Sequence, residues 1–234
     1  MEYDIKLAQI CPDDEAYLRF YRWKPFCLSL GANQKFEDID LGKLSTDNID
    51  IVKRPTGGRA ILHAEELTYS FVIPTSSGFS SSDIYRKISL SLVKGLEKYD
   101  PVLKDVELEN IQPDFAKLLL EPKGAACFAS TAKSEVKFKG KKLIGSAQRK
   151  MNRVILQHGS ILCGDFHLKL VNYLCCNSVE RESIKNELCK STVDIFSILK
   201  KEINYPYLME CLASGFEYEW GISFVKGYKP EIIL

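Results

Sequence analysis

Short apolar segments rich in β-branched and aromatic residues recur along the chain, and in 134–138 apolar and polar positions alternate with the two-residue period of a strand. The segments predict strands over residues 17–23, 26–30, 51–52, 60–63, 67–73, 134–138, 142–148, 154–163 and 219–224. A long amphipathic helix is predicted where apolar residues repeat every four positions, at Ile84, Ile88, Leu92 and Leu96. Shorter helices are predicted over 1–10, 166–175, 179–189 and 207–216. The order of these elements predicts an α+β fold with a mixed or antiparallel β-sheet core packed with helices.

The amino-acid composition limits the classes of protein to which this chain can belong. The 234 residues are 45% hydrophobic and 27% charged, which is enough to bury a sizeable core. The net charge of +1 favours neither nucleic acid nor membrane as a partner. We find no apolar run of about 18 residues and no signal-peptide core at the N-terminus, so a cytoplasmic location is expected.

The eight cysteines are scattered without a C-x-x-C pair, so no metal site is expected. Cys127 is flanked by small residues, which leave room for an incoming acyl group. A nucleophilic thiol also needs a lowered pKa, which Lys142, fifteen positions further on, or His158 could provide. From spacing alone, a packed cysteine, a solvated strand lysine and a hydrogen-bonded core histidine are the commoner outcomes.

Two kinds of glycine-containing segment are candidates for ligand binding. Gly57 and Gly58 lie in a bend between two strands, where bare backbone amides can face a phosphate, a carbonyl or an acyl chain. The spacing matches neither the P-loop nor the dinucleotide fingerprint, and a plain hairpin is the commoner case. Small residues also interrupt two neighbouring strands, at 145–148 and 159–160, which indicates either bulges or a narrow slot for an extended chain.

Residues 133–153 contain eight basic side chains and one acid, Glu135. Lysines on a hairpin commonly protect a sheet edge. The alternative is a docking face for an acidic protein partner. Nucleic acid is not favoured, because no basic motif with interleaved aromatic residues accompanies the run.

Taken together, these motifs resemble the biotin/lipoate protein ligase and octanoyltransferase superfamily. The matching segments include 19–23, 29–31, 54–63, 66–70, 127–128, 140–148 and 156–160. The resemblance implies that Lys142 is the catalytic lysine. It also implies an acyl-binding slot formed by Arg54, Thr56, Gly57, Gly58, Arg59, His63, Gly145, Ser146, Ala147, Gln148, His158, Gly159 and Ser160.

Cysteine-dependent octanoyltransferases of this superfamily place their nucleophile in a Cys-Phe pair, as in Cys127-Phe128. The resemblance therefore implies ping-pong transfer through Cys127, with octanoyl-acyl carrier protein as donor and no cofactor. The implied acceptor is a lipoyl-domain protein, either the glycine cleavage H protein or a dehydrogenase E2. We expect a monomer with a single catalytic domain over 1–234 and no accessory C-terminal domain.

Other activities remain open from the sequence. An ATP-dependent lipoate or octanoate ligase would use ATP and Mg²⁺ at the same loop and leave Cys127 uninvolved. An amidotransferase would move the acyl group between two lipoyl domains, and a binding protein would hold acylated carriers without turnover. A biotin ligase is disfavoured because its Gly-Arg-Gly-Arg loop is not found. The chain also departs from the family pattern: an N-terminal strand is not found, and Lys133-Ser134 stand where an aromatic residue is usual.

Overall fold

The computed structural model describes residues 1–108, 135–225 and 227. The described strands are β1 (Tyr17–Tyr21), β2 (Cys27–Leu30), β3 (Asp50–Lys53), β4 (Ile61–His63), β5 (Glu66–Pro74), β6 (Val106–Leu108), β7 (Val136–Phe138), β8 (Lys141–Met151) and β9 (Val154–Leu162). The described α-helices are α1 (Glu2–Ile10), α2 (Leu41–Thr46), α3 (Ser81–Tyr99), α4 (Ser178–Ser191), α5 (Ile195–Leu199) and α6 (Tyr205–Trp220). Short 3₁₀ segments cover Phe36–Asp38, Thr75–Ser77, Pro101–Asp105 and Phe166–Tyr173.

The strands form two sheets. The large sheet has the order β1-β5-β9-β8-β7-β6, and every pair of neighbours is antiparallel. The small sheet has the order β3-β2-β4, with β2 parallel to β3 and antiparallel to β4. These sheets and their helices confirm the predicted α+β class.

Helix α3 begins where the sequence predicts. The Ser80 side chain accepts a hydrogen bond from the Asp83 amide and so satisfies one of the free donors at the helix start. The predicted stripe, which includes Ile88 and Leu92, is fully buried. It packs with α6 on one face of the large sheet, against Leu67, Tyr69 and Phe71 of β5.

The opposite face of the large sheet is covered by two elements. Helix α1 packs on Val72 and Leu156, and the small sheet packs near Leu162. Strands β5 and β9 are buried along their whole length, because both of their faces are covered. The small sheet and the large sheet therefore enclose a space between them, at the middle of β8 and β9.

Three features differ from the predictions or lie beyond them. The strand predicted over 219–224 is wrong, because α6 continues to Trp220 and ends at Gly221 in the left-handed region, with φ of 63°. The strands around Gly57 and Gly58 are not a hairpin, since β2 lies between β3 and β4. Helix α5 was not predicted. Over the described residues, we find no helix long and apolar enough to cross a membrane.

Candidate active site

A narrow cleft with a cavity volume of about 20 Å³ lies between the two sheets, which is well below the usual size range of small-molecule sites. It is lined by Met1, Tyr21, Trp23, Arg54, Ile61, His63, Thr68, Gly145, Ser146, Ala147, His158, Gly159 and Ser160. The structure thus brings together both small-residue segments of β8 and β9 with His63 of β4 and Arg54, which directly follows β3. Predicted slot residues outside this lining are Thr56, Gly57, Gly58, Arg59 and Gln148.

The glycine loop between β3 and β4 passes closely over the end of β2. A Cβ on Gly31 would lie 1.9 Å from the carbonyl oxygen of Gly58, so only glycine at position 31 permits this approach. Arg54 holds the loop from inside by donating hydrogen bonds to the carbonyls of Gly57 (3.0 Å) and Arg59 (2.7 Å). Gly58 has φ of 91°.

Arg54 also belongs to a buried polar chain that crosses the small sheet. Its guanidinium donates to Ser29 Oγ (3.2 Å), and Ser29 Oγ lies 2.7 Å from Nε2 of His63. An arginine can only donate, so Ser29 Oγ is the acceptor in the bond from Arg54. Nδ1 of His63 then donates to Oε1 of Glu66 at 2.7 Å.

The same chain reaches the wall of the cleft on the other side of Glu66. Thr68 donates its hydroxyl proton to Oε1 of Glu66 (2.5 Å) and accepts from Nε1 of Trp23 (2.8 Å). Trp23 in turn stacks on His63, with ring centroids 4.7 Å apart. Sequence reasoning missed Trp23, Ser29, Glu66 and Thr68 as site residues, although polar side chains in otherwise buried strands were the available signal.

His158 is a buried residue of the cleft with a defined partner. Its Nε2 lies 2.7 Å from Oγ1 of Thr56, which explains the place of Thr56 just behind the lining. Burial, followed by the charge of Arg54, lowers the pKa of His158 to about 3. The imidazole is therefore neutral at ordinary pH, and it can donate or accept a hydrogen bond but not supply a cation.

Lys142 is 1% exposed, so the interpretation of a solvated strand lysine is wrong. Its Nζ lies 2.8 Å from Oε1 of the equally buried Glu135. An opposite charge at this distance compensates for part of the cost of removing the ammonium from water.

A β-bulge decides which face of the sheet Lys142 occupies. Val136 pairs with Ile144, but the next residue, Lys137, pairs with Lys142, so β8 carries one extra residue there. Uninterrupted alternation over three residues would put Lys142 and Gly145 on opposite faces. The bulge puts both on the cleft face, and bulges are frequent beside active sites. Cys127, the predicted nucleophile, lies outside the described residues.

The two small-residue segments pack against each other. A Cβ on Gly159 would lie 2.6 Å from the carbonyl oxygen of Gly145 and 2.6 Å from the ring of Tyr69. Tyr69 donates to or accepts from Ser146 Oγ at 2.7 Å. Position 159 is therefore restricted to glycine, because any side chain would collide with β8 and with the ring of Tyr69. Gln148 lies on the helix side of the sheet, where it donates to the Ser81 carbonyl at 3.0 Å.

The basic residues of the β7–β9 region divide between two ends of the hairpin. Lys139 lies in the turn before β8 and Lys141 is the first residue of that strand, whereas Lys150 lies near its end and Arg153 in the turn after it. The two groups are roughly 30 Å apart at the rise of an extended strand. They are therefore two separate basic surfaces. Among the described side chains, no group of three or more His, Cys, Asp or Glu is arranged to hold a metal ion.

The fold is similar to that of solved lipoate-protein ligases. A structure from the structural analysis of the bi-partite lipoate protein ligase of Thermoplasma acidophilum and its E2 lipoyl domain superposes with a TM-score of 0.75 and 18% identity, covering 95% of this chain and 78% of that one. A lipoate-protein ligase A solved with ATP gives a TM-score of 0.72 at 19% identity, over 95% and 80% of the two chains. These similarities confirm the predicted fold.

The chain belongs to the lipoyl protein ligase A/B catalytic domain family, whose model matches residues 1–217. Octanoyltransferase LipM of Clostridioides difficile is 39% identical over 216 residues, which are 90% of this chain and 77% of that protein. Octanoyltransferase LipM of Kyrpidia tusciae is 44% identical over 215 residues, again 90% and 77%. The superfamily inferred from the sequence motifs is therefore confirmed.

Proposed function

We propose that this octanoyltransferase of protein lipoylation works by ping-pong transfer through a thioester on Cys127, with Lys142 as the cation that favours the thiolate. The observation that carries the proposal is a lysine buried on the cleft face of the sheet. Burying a lysine costs free energy, and buried ionisable groups with charged partners are therefore found preferentially at functional sites. Lys142 is not among the residues that line the cleft, but it lies three positions before the lining residue Gly145 on β8. In this proposal the acyl chain enters the cleft.

The first step transfers the octanoyl group to the enzyme. The Cys127 thiolate attacks the thioester carbonyl of the carrier, a carbon–sulfur bond to Cys127 forms, and the carbon–sulfur bond to the carrier breaks. The carrier leaves as a thiolate and takes up the proton that Cys127 lost. Lys142 stabilises the negative charge on the Cys127 sulfur before the attack.

The second step makes an amide. The ε-amine of a lysine on a lipoyl domain attacks the thioester carbon, so that a carbon–nitrogen bond forms and the bond to Cys127 breaks. The proton released by the amine passes to the Cys127 sulfur. Neither step requires ATP, a metal or an organic cofactor, and the amide formed is more stable than the thioester consumed.

The proposed partners are macromolecular carriers in the cytoplasm. An acyl carrier protein is the proposed donor and a lipoyl-domain protein, such as the glycine cleavage H protein or a dehydrogenase E2, is the proposed acceptor. The structural similarity to a Thermoplasma lipoate protein ligase that was analysed along with its E2 lipoyl domain supports this class of acceptor. We propose that the enzyme acts as a monomer.

The test is the intact mass of the protein after mixing with octanoyl-acyl carrier protein in the absence of ATP. We expect a hydroxylamine-labile octanoyl adduct on the wild type and none on Cys127→Ala. Cys189→Ala is the matched control, because Cys189 is a free, exposed thiol and should leave the adduct unchanged. The double variant Lys142→Met/Glu135→Gln removes both charges of the buried pair and should acylate at least about 100-fold more slowly, by loss of the thiolate.

Two results would contradict this proposal. The first is an adduct that persists in Cys127→Ala. The second is no adduct on the wild type, with a lipoyl domain labelled only when free octanoate or lipoate and ATP are supplied. That second result would make the enzyme a ligase and Cys127 a structural residue.

A further inference from the structure

Ser160 carries a buried hydroxyl group on the floor of the cleft. The residue is 0% exposed and lines the cleft from β9. Its Oγ has no hydrogen-bond partner among the residues that the structure describes. A buried hydroxyl without a partner is unfavourable, and alanine or glycine would avoid the problem at this position.

The two residues that pair with Ser160 on the neighbouring strands do not form a hydrogen bond with its hydroxyl group. On one side Ser160 pairs with Thr68, whose hydroxyl already donates to Glu66 and accepts from Trp23. On the other side it pairs with Gly145, which has no side chain. The open direction is therefore the cleft itself, where the acyl group would lie.

The position of Ser160 along the cleft is informative as well. The row Thr68, Ser160 and Gly145 crosses three strands at one level of the cleft face. The next row on the same face contains His158 and Ala147, two residues further from Lys142 along β8. Ser160 thus belongs to the row nearer to the catalytic lysine.

We propose that Ser160 is a further catalytic residue, whose hydroxyl donates a hydrogen bond to the carbonyl oxygen of the bound octanoyl group. An octanoyl thioester has one strong acceptor, the carbonyl oxygen, and its methylene chain has none. In this proposal Ser160 marks the carbonyl end of the cleft, and the chain extends from there toward Ala147. Negative charge grows on this oxygen during attack, so a fixed donor stabilises the transition state. This inference rests on the proposed function.

The experiment uses octanoyl-acyl carrier protein labelled with ¹³C at the carbonyl carbon. The infrared stretch of the labelled carbonyl is recorded on the acylated full-length enzyme. We expect a higher frequency in Ser160→Ala than in the wild type, because the hydrogen bond that weakens the carbonyl is lost. We also expect kcat for octanoyl transfer to fall about 100-fold, with little change in KM, as for removal of one oxyanion donor.

Ser70→Ala is the matched control. Ser70 is a buried serine on β5 whose Oγ also lacks a partner among the described residues, but it does not line the cleft. Its variant should keep the wild-type frequency and rate. The acyl adduct itself shows that each variant is folded.

Equal carbonyl frequencies and equal rates in Ser160→Ala and the wild type would overturn the assignment. So would equal losses in the Ser160 and Ser70 variants, which would indicate a packing effect only. A wild-type enzyme that forms no adduct would instead contradict the proposed function, so the two failures are distinguishable.

Discussion

At the residue scale, the main feature of this protein is the number of buried polar groups around the cleft. Lys142 and Glu135 form an ion pair almost without solvent contact. Removing one partner of such a pair leaves an uncompensated charge and typically costs about 3–5 kcal/mol. A single substitution of Lys142 would therefore lower stability as well as activity, and the double variant separates these effects.

His158 leads to a prediction about pH. Its pKa is lowered to about 3 by burial and then by Arg54 and His63, whereas the ordinary value is 6.5. Below pH 6.5 the unfolded chain binds a proton that the folded protein does not, so acid favours unfolding, down to about pH 3. Between pH 7.5 and 5.5, we expect the wild type to lose about 1.4 kcal/mol more unfolding free energy than His158→Gln.

Urea unfolding of both proteins at the two pH values measures this difference. Other titrating groups, including His167, are common to both proteins and cancel. If both proteins lost the same free energy on acidification, His158 would not be the buried neutral group described above.

At the element scale, the cleft depends on how β2 separates β3 from β4. The loop from β3 must pass over the end of β2 before it enters β4, and Gly31 lies where the two backbones meet. The bulge on β8 is a second device of this kind, since one additional residue directs Lys142 to the cleft face. The close approach at Gly31 and the bulge on β8 are both features of the backbone, so the pattern of apolar and polar residues does not predict them.

Gly31→Ala should displace the glycine loop. Its Cβ would lie 1.9 Å from a backbone oxygen, and an overpacked position of this kind costs about 1–3 kcal/mol. Octanoyl transfer should also fall, because the loop carries Arg54. Thermal melting, urea unfolding and the acylation assay measure these effects.

Gly57→Ala is the matched control for stability. A Cβ there would meet no heavy atom within 4 Å, so the change in unfolding free energy should stay within about 0.5 kcal/mol. Equal stability of the two alanine variants would contradict the close approach of Gly31 and Gly58.

At the scale of the whole molecule, the positions of the charged side chains are more informative than the net charge. The net charge of +1 conceals two basic surfaces at opposite ends of the β7–β9 region. Lys139 and Lys141 lie at the end that also carries Lys142, and both are exposed. An acidic carrier that delivers an acyl group to this end would meet these lysines first.

We expect Lys139→Glu/Lys141→Glu to lower kcat/KM for octanoyl-acyl carrier protein at least about tenfold at low salt, because electrostatic steering raises association rates by about 10-fold or more. The salt dependence of the rate should weaken in the same variant. A small octanoyl thioester, which needs no docking, should react at the wild-type rate. Steady-state kinetics at several salt concentrations measure these effects.

Lys150→Glu/Arg153→Glu reverses two charges at the far end and is the matched control. Both side chains are exposed, and the variant should retain wild-type kinetics with the carrier. An equal loss in both double variants would indicate a general effect of charge and would exclude a localised docking surface.

The sequence predicted features that depend on neighbouring residues better than features that depend on residues distant in the chain. All but one of the predicted strands, the cap at Ser80 and the buried stripe of α3 follow from local patterns and are confirmed. The strand predicted over 219–224 is wrong, since Glu219 and Trp220 still belong to α6 and Gly221 ends the helix. The participation of Trp23, Ser29 and Glu66 was missed, because their hydrogen-bond partners are distant in sequence or in the next strand.

The sequence by itself determined the α+β class, most of the elements and the family, because periodicity, caps and motif spacing are local properties of the chain. Only the tertiary structure decided that β2 separates β3 from β4, that Lys142 is buried beside Glu135, and that Ser160 has no partner across the sheet. The physical reason is that strand pairing, burial and hydrogen-bond satisfaction depend on residues brought together from distant parts of the chain. A single bulge, which does not change the apolar pattern, turns a side chain from one face of a sheet to the other.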